Sequence, residues 1–245
     1  YDSDPETEWE GGVLKGRFLT HPQPAFQLIE TMVWLPEDGY WLLDLHLDRL
    51  LASASHFCYP ADRLRIEALL LQLAEGFAGG EPRRVRLTLA KDGRVETTVG
   101  PCSTPALPFE PGMQPGSDAQ AARPVSFSPL RTDPDHRHLY HKTTQRELYD
   151  RERERAVASG FFEVLFCNRR GEVTEGSITN IFLLRQGRFL TPPVACGLLN
   201  GVFRQHFLAS CPWPVEERVL TMAEVESAEA LYVGNSVRGL VRVRL

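Results

Sequence analysis

The stretch Glu172 to Phe182, EVTEGSITNIF, decides the fold that the sequence predicts. Two apolar pieces with strand character flank a short polar turn, and one acid, Glu175, lies at its centre. Alone, the stretch also fits an ordinary turn between two strands. Its neighbours along the chain make it more informative, because His141-Lys142-Thr143-Thr144 precedes it and Gly234-Asn235-Ser236 follows it.

Composition limits the classes of protein that remain. The chain has 245 residues, of which 42% are hydrophobic, enough for one large domain or two modest ones. A net charge of −5 argues against a nucleic-acid partner. No apolar run approaches the ~20 residues of a membrane span, and no secretory signal is recognisable. The five cysteines lack paired spacing, so we expect a cytoplasmic protein with free thiols and no metal site.

The order of predicted elements favours an α+β (mixed α/β) fold over a doubly wound parallel sheet. Strand patterns with several hairpins alternate with helical patterns, including a charged helix predicted over 139–159. The segment from Pro101 to Pro124 is rich in Pro, Gly, Ala and Ser and predicts a domain boundary. We therefore expect a small N-terminal α/β domain over 19–102, a linker over 103–124 and a larger, cofactor-binding domain over 125–245.

Lys142 and Glu175 are the candidate chemical groups. Burial of Lys142 behind Leu139-Tyr140 would lower its pKa and free the amine for Schiff-base chemistry. A carboxylate such as Glu175 beside the ring nitrogen of pyridoxal 5'-phosphate (PLP) would keep that nitrogen protonated and the ring an electron sink. The alternatives are a solvated lysine at a helix start and an acid in a turn.

Phosphate binding needs backbone N–H groups, hydroxyls and a cation. The start of a predicted helix, a strand end and a predicted helix face supply candidates, namely Gly201, Val202, Asn235, Ser236 and Arg49. Each also fits a helix cap, a turn or a surface ion pair. Thr31 is polar within an apolar strand, and Arg86 on an alternating strand is a candidate for a substrate carboxylate; solvent exposure is the alternative for both.

The motifs, in this order, resemble fold-type IV PLP enzymes, a family that includes branched-chain aminotransferases, D-amino acid aminotransferases and 4-amino-4-deoxychorismate lyases. The matching pieces are IETM (29–32), HLDRL (46–50), HKTTQR (141–146), EVTEGSITNIF (172–182), GLLNGVFR (197–204) and GNSVRGL (234–240). The resemblance implies a two-domain fold, PLP as cofactor and a homodimer.

The resemblance also implies roles for individual residues. Lys142 corresponds to the Schiff-base lysine, Glu175 to the partner of the pyridine nitrogen, and Thr31 to a threonine that assists proton transfer in the lyases. The phosphate would be held by Arg49, Gly201, Val202 and Ser236, and Asn235 belongs to the same expected cofactor site. The chain also departs from the family pattern. His21-Pro22-Gln23-Pro24 replaces a glycine-rich lead-in, Gln145 stands where Asn is usual, and Asn200 and Phe203 replace a Pro and a Thr of the phosphate loop.

The first residues, YDSDPETEWEGGVLKGRFL, are similar to the extreme C-terminus of component I of aminodeoxychorismate and anthranilate synthases. We therefore expect residues 1–18 to be the remnant of a chorismate-binding domain fused to, or cooperating with, this chain and a glutamine amidotransferase. The context implies a lyase that converts 4-amino-4-deoxychorismate to 4-aminobenzoate and pyruvate for folate synthesis. A branched-chain or D-amino acid aminotransferase and a catalytically silent docking domain of the synthase are the alternatives.

Overall fold

A computed structural model of the chain describes residues 25–77, 80–105 and 121–245. The predicted remnant 1–18 and most of the predicted linker 103–124 lie outside these ranges. Arg123 and Pro124, at the end of that linker, are strand residues. The predicted domain division stays a prediction.

A small antiparallel sheet is built from the first part of the chain. Its strands run in the order β2-β1-β3-β4, and two helices pack on one face. Alternation explains this, because Val85, Leu87 and Leu89 are buried while their neighbours point to the other face. The elements are β1 (Leu28–Leu35), β2 (Gly39–Tyr40), α1 (Leu43–Phe57), α2 (Arg63–Glu75), β3 (Arg83–Leu89) and β4 (Val95–Pro101).

A larger mixed sheet of eight strands forms the rest, in the order β10-β9-β8-β11-β12-β5-β6-β7. Most pairs are antiparallel, whereas β5 runs parallel to both β6 and β12, and β10 runs parallel to β9. Its elements are β5 (Arg123–Thr132), α3 (Glu147–Ala158), β6 (Glu163–Asn168), β7 (Val173–Gly176), β8 (Asn180–Arg185), β9 (Arg188–Thr191), α4 (Val202–Ser210), β10 (Val215–Glu217), α5 (Met222–Glu226), β11 (Ala230–Asn235) and β12 (Gly239–Arg244). The predicted α+β fold is confirmed, and none of these described helices has the length and apolar character of a membrane span.

The eight-stranded sheet closes on itself through the stretch Glu172 to Phe182. Residues 172–182 contain β7, a short turn and the first three residues of β8, in the predicted strand-turn-strand order. The strand β7 pairs with β6 on one side and with β8 on the other. The pairing with β8 consists of a single register pair, Glu175 with Asn180. Six strands thus form a ring, and its closing pair carries the candidate acid.

The predicted helix over 139–159 is wrong in its first half. A short 3-10 helix covers Arg137–Tyr140, residues 141–146 are irregular, and α3 begins only at Glu147. The irregular segment pairs with the chain at the start of β1: the Ile29 amide donates to the Lys142 carbonyl at 2.9 Å, and the Thr144 amide donates to the Gln27 carbonyl at 2.9 Å. These tertiary hydrogen bonds replace helical ones and bring Lys142 next to the small sheet.

Candidate active site

A cavity of about 510 Å³ is lined by residues of both sheets. The small sheet and its helix α1 contribute Thr31, Arg49 and Arg84, and the larger part of the chain contributes the remainder. Of the nine sequence-predicted site residues, eight line this cavity: Thr31, Arg49, Lys142, Glu175, Gly201, Val202, Asn235 and Ser236. Arg86 does not.

Lys142 is half-buried and lines the cavity. Burial, together with the nearby cations of Arg49 and Arg146, lowers the pKa of its amine to about 8, although the carboxylate of Glu30 opposes this shift. A lysine with this pKa holds a substantial neutral fraction near neutral pH. The amine can therefore act as a nucleophile or take up a proton.

Glu175 is a buried acid without a cationic partner in contact. Its Oε1 accepts a hydrogen bond from the Tyr149 hydroxyl at 3.0 Å, and its Oε2 accepts one from the Leu199 amide at 3.2 Å. Burial raises the pKa of Glu175, whereas these hydrogen bonds and the charges of Arg146 and Lys142 lower it. Burial has the larger effect, so the pKa is raised to about 8. A protonated ring nitrogen at the cavity surface would supply the missing positive partner.

Arg49 is held rigidly at another side of the cavity. Its Nε and Nη2 atoms donate to the two carboxylate oxygens of Glu30, at 2.9 and 2.6 Å. Glu30 also contacts Nδ1 of the buried His46 at 2.6 Å. Burial would raise the pKa of Glu30, but Arg49 and His46 outweigh it and hold that pKa at about 2. The Arg49 guanidinium is thus fixed as a charge for an anion.

The first turn of α4 reaches the cavity close to Arg49. Gly201 is the N-cap residue and no side chain caps the helix, so its first amides are available to an anion. A side chain at Gly201 would overlap Oδ1 of Asn180. The carbonyl of Asn200 accepts from Arg49 Nη1 at 3.5 Å. This end of the cavity combines N–H groups with a cation, which is the chemistry that binds phosphate.

The turn after β11 contributes one hydroxyl to the same cavity. Ser236 is buried and its Oγ donates to the Thr31 carbonyl at 3.3 Å. The side chain of Asn235 is engaged by its own surroundings: Nδ2 donates to the Ile178 carbonyl, and Oδ1 accepts from two backbone amides. Asn235 therefore shapes the turn that presents Ser236.

Phe203, which replaces a Thr of the family pattern, is buried in an aromatic cluster with Phe182 and Phe207. A Cβ built on Gly234 would meet its ring at 2.5 Å. The large side chain thus fills space that the glycine leaves open. The phosphate end of the cavity consequently depends on backbone amides at this position.

Several residues of the site were not anticipated from the sequence. Tyr149, on α3, lies seven positions after Lys142 and contacts Glu175. Arg146 binds Asp150 at 2.6 Å and the Ser177 carbonyl at 2.7 Å while lining the cavity. Tyr149 follows Arg146, the residue just before α3, by three positions, and within the predicted helix this spacing was a usable signal that both side chains lie on one side.

The amino-transferase class IV family model matches residues 27–245. The chain belongs to the class IV aminotransferase family. A Schizosaccharomyces pombe protein, provisionally named an aminodeoxychorismate lyase, is 28% identical over 86% of each chain. A crystal structure of a provisionally named amino-acid aminotransferase from Mesorhizobium loti is 35% identical, with a TM-score of 0.78 over 90% of this chain and 99% of that one. A branched-chain aminotransferase of Thermotoga maritima, also provisionally named, is 34% identical over 34% of this chain and 32% of that protein.

Class IV enzymes use PLP. The PLP-bound structure of a hypothetical aminotransferase from Mycobacterium tuberculosis shares the fold at 19% identity, with a TM-score of 0.70 over 89% of this chain and 80% of that one. The residues of this cavity fit that cofactor. Glu175 is a buried acid lacking a cation, Arg49 and the α4 amides offer an anion site, and Lys142 has a lowered pKa. These are the groups that a pyridinium, a phosphate and an aldehyde each require.

Proposed function

We propose that this class IV enzyme is a PLP-dependent carbon–oxygen lyase that converts 4-amino-4-deoxychorismate to 4-aminobenzoate and pyruvate. The observation that carries the proposal is the extent of one match: the fission-yeast protein named as a lyase aligns over 86% of both chains. The curated branched-chain aminotransferase of Thermotoga maritima aligns over about a third of each. The similarity of residues 1–18 to a chorismate-binding component I supports the same reading.

In the proposed site, Lys142 would bond the PLP aldehyde until the substrate amine takes its place and frees the lysine amine. Glu175 would lie at the ring nitrogen, and Arg49, Gly201, Val202 and Ser236 would hold the phosphate. When bound, PLP supplies an electron sink for the electrons released at the carbon that bears the amine. The freed amine of Lys142, whose pKa of about 8 lies close to working pH, would remove the proton from that carbon. The carbon–oxygen bond to the enolpyruvyl group then breaks, and the six-membered ring becomes aromatic.

The departing enolpyruvyl group needs one proton to become pyruvate. Thr31 lies on the face of β1 that lines the cavity, and its carbonyl is fixed by Ser236. We assign its hydroxyl to guiding that proton from Lys142 to the leaving group. Because aromatisation drives the reaction, the chain mainly contributes orientation and proton transfer.

An aminotransferase acting on a branched-chain or D-amino acid is the second candidate. The 35% identity to the Mesorhizobium loti protein over 90% of this chain favours it. It would use the same Lys142 and Glu175 but needs a second half-reaction with a keto acid. A silent docking domain is disfavoured by the lowered pKa of Lys142 and the uncompensated burial of Glu175 in one cavity.

Two assays on PLP-loaded protein separate these reactions. Incubation with freshly made aminodeoxychorismate should release pyruvate and 4-aminobenzoate in equal amounts, whereas an amino donor with 2-oxoglutarate should give no steady glutamate formation. Lys142→Ala is the control for both. Steady glutamate formation without pyruvate release would replace the lyase by the aminotransferase, and a colourless protein that ignores PLP would favour the docking domain.

We further propose that the enzyme takes one small-molecule substrate, works in the cytoplasm as a homodimer, and is fused to or cooperates with component I and a glutamine amidotransferase. The division into domains over 19–102 and 125–245 belongs to the same proposal. Size measurement in solution and limited proteolysis test these points.

A further inference from the structure

The cavity is lined by more positive than negative side chains, and some of the cations have no acidic partner. Three of its arginines are paired: Arg49 with Glu30, Arg146 with Asp150, and Arg169 with Asp133. Within the described ranges, no carboxylate lies within 4.0 Å of Arg84, Arg131 or Arg238. Arg131 directs Nη2 toward the sulfur of Met222 at 3.8 Å. Among the described arginines that line the cavity, this leaves Arg84 and Arg238 as the two whose guanidinium groups have neither a carboxylate partner nor a contact of this kind with a side-chain sulfur or oxygen.

Arg238 is held in place by the turn that follows β11. Its backbone amide donates to Asn235 Oδ1 at 2.9 Å, and its guanidinium carbon lies 5.6 Å from the ring centroid of Phe162. The guanidinium carbon of Arg123 lies 3.9 Å from the centroid of the same ring, but Arg123 is not among the residues that line the cavity. A half-buried guanidinium supported by a ring is well ordered, so less rotamer freedom is lost when an anion binds.

Arg84 comes from the opposite side, on β3. It shares with Arg86 the face of the strand that points away from the buried Val85 and Leu87. On β4 the residue opposite is Gly100, and a Cβ there would lie 3.3 Å from Arg84 Nη2. The glycine leaves room for the guanidinium to lie across the strand. Arg84 lines the cavity, whereas Arg86, the residue that the sequence suggested, is not among the lining residues, although its charge helps to lower the pKa of Lys142.

A contact between the end of β4 and the turn after β11 brings Arg84 and Arg238 to the same region of the cavity. Cys102, two residues after the Gly100 that lies opposite Arg84, donates its Sγ–H to the carbonyl of Val237 at 3.9 Å. The charges that act on this region agree with that placement. Burial lowers the pKa of Arg238, and the charges of Arg153, Arg123 and Arg84 lower it further, against one acid, Glu163. Burial raises the pKa of the Cys102 thiol, and Arg84 and Arg238 are the two charges that oppose that rise. Like charges brought together cost free energy unless an anion lies between them.

We propose that Arg84 and Arg238 form a carboxylate-binding subsite that holds the substrate at the end remote from its amine. This inference rests on the proposed function and names the feature of the substrate that the cavity selects, a second carboxylate. Two guanidinium forks match a planar carboxylate by charge-assisted hydrogen bonds. 4-Amino-4-deoxychorismate carries two carboxylates, so one can occupy this subsite while the amine reaches Lys142.

Chorismate is a suitable probe, because it carries both carboxylates but a hydroxyl in place of the amine and so cannot bond PLP. Its dissociation constant for PLP-loaded protein is measured by calorimetry for the wild type and for the variants Arg84→Gln and Arg238→Gln. We expect each variant to bind chorismate about tenfold or more weakly, as for the loss of a charge-assisted hydrogen bond. Arg123→Gln, which removes the other cation on Phe162, should bind as the wild type does.

A separate titration with PLP, followed by absorbance, distinguishes the substrate carboxylate from the cofactor phosphate as the anion. Unchanged PLP affinity in Arg84→Gln and Arg238→Gln supports the subsite, and a matching loss of PLP affinity overturns it. Equal chorismate binding by wild type and both variants, weaker binding only in Arg86→Gln, or no chorismate binding by the wild type also overturns it. Pyruvate release by the wild type reports independently on the proposed function, so the two failures are distinguishable.

Discussion

Glu175→Gln in the cofactor-free protein should change how stability depends on pH. The folded-state pKa of Glu175 is raised from 4.5 to about 8 by burial. The folded state therefore keeps a proton that the unfolded state has already lost, and the free energy of unfolding falls as pH rises through this window. Each pKa unit corresponds to about 1.36 kcal/mol. The full shift corresponds to about 5 kcal/mol, fully lost above about pH 8.

Glutamine is neutral in both states and carries no such dependence. Urea unfolding of the wild type and of Glu175→Gln at about pH 5 and about pH 9 measures the difference. We expect the variant to gain about 4 kcal/mol relative to the wild type between these two conditions. Subtracting the free energy of unfolding of one protein from that of the other removes the contributions of other groups, such as Lys142, that titrate in both.

Glu172→Gln is the matched control, three residues away in the same stretch. Hydrogen bonds from Arg170 and Asn168 lower the pKa of Glu172, so the stability it contributes is lost only as pH falls below its unfolded value. The difference in the free energy of unfolding between Glu172→Gln and the wild type should stay constant between about pH 5 and about pH 9. A flat difference for Glu175→Gln as well would refute the reasoning that burial penalises the Glu175 carboxylate.

Three further predictions concern the same cavity. Glu30→Gln removes the charge that fixes Arg49 and should lower the free energy of unfolding in urea by about 3–5 kcal/mol. The same variant should bind PLP more weakly in an absorbance titration, and unchanged PLP affinity would contradict a role for Arg49 in binding the phosphate. Because the pKa of Lys142 is lowered to about 8, the rate of PLP attachment measured by stopped flow should rise with pH and level off above that value. A rate that continues to rise to about pH 10 would indicate a lysine with an ordinary pKa. Tyr149→Phe removes a 3.0 Å hydrogen bond that favours the charged form of Glu175, so the pH midpoint of the stability loss should move upward; a midpoint that moves downward contradicts this role.

The elements that the sequence predicted are those whose pattern is local. The alternation of β3 and the pair of strands around Glu175 depend on neighbouring residues only, and both are confirmed. The helix expected to carry Lys142 is wrong because the segment takes its hydrogen bonds from the start of β1, more than a hundred residues earlier. A helical pattern cannot compete with such tertiary contacts when it lacks a cap.

The candidate site was predicted in part for the same reason. Motifs led to Lys142 and Glu175 because their residue types are tied to one chemistry. Alternation on β3 places Arg84 and Arg86 on the same face of the strand. Arg84 lines the cavity and Arg86 is not among its lining residues, and no local pattern contains that difference. Tyr149 contacts Glu175 across 26 positions, a pairing that only the packing of α3 creates.

The ring of strands closes through one register pair, and that pair includes the acid proposed to meet the cofactor. Occupancy of the site and integrity of the sheet are thus linked: PLP at a hundredfold excess over its dissociation constant would add about 2.7 kcal/mol to folding. Chains made while PLP is scarce would open more often at β7 and β8 and be degraded sooner. The cellular supply of PLP would then set the amount of this enzyme as well as its activity.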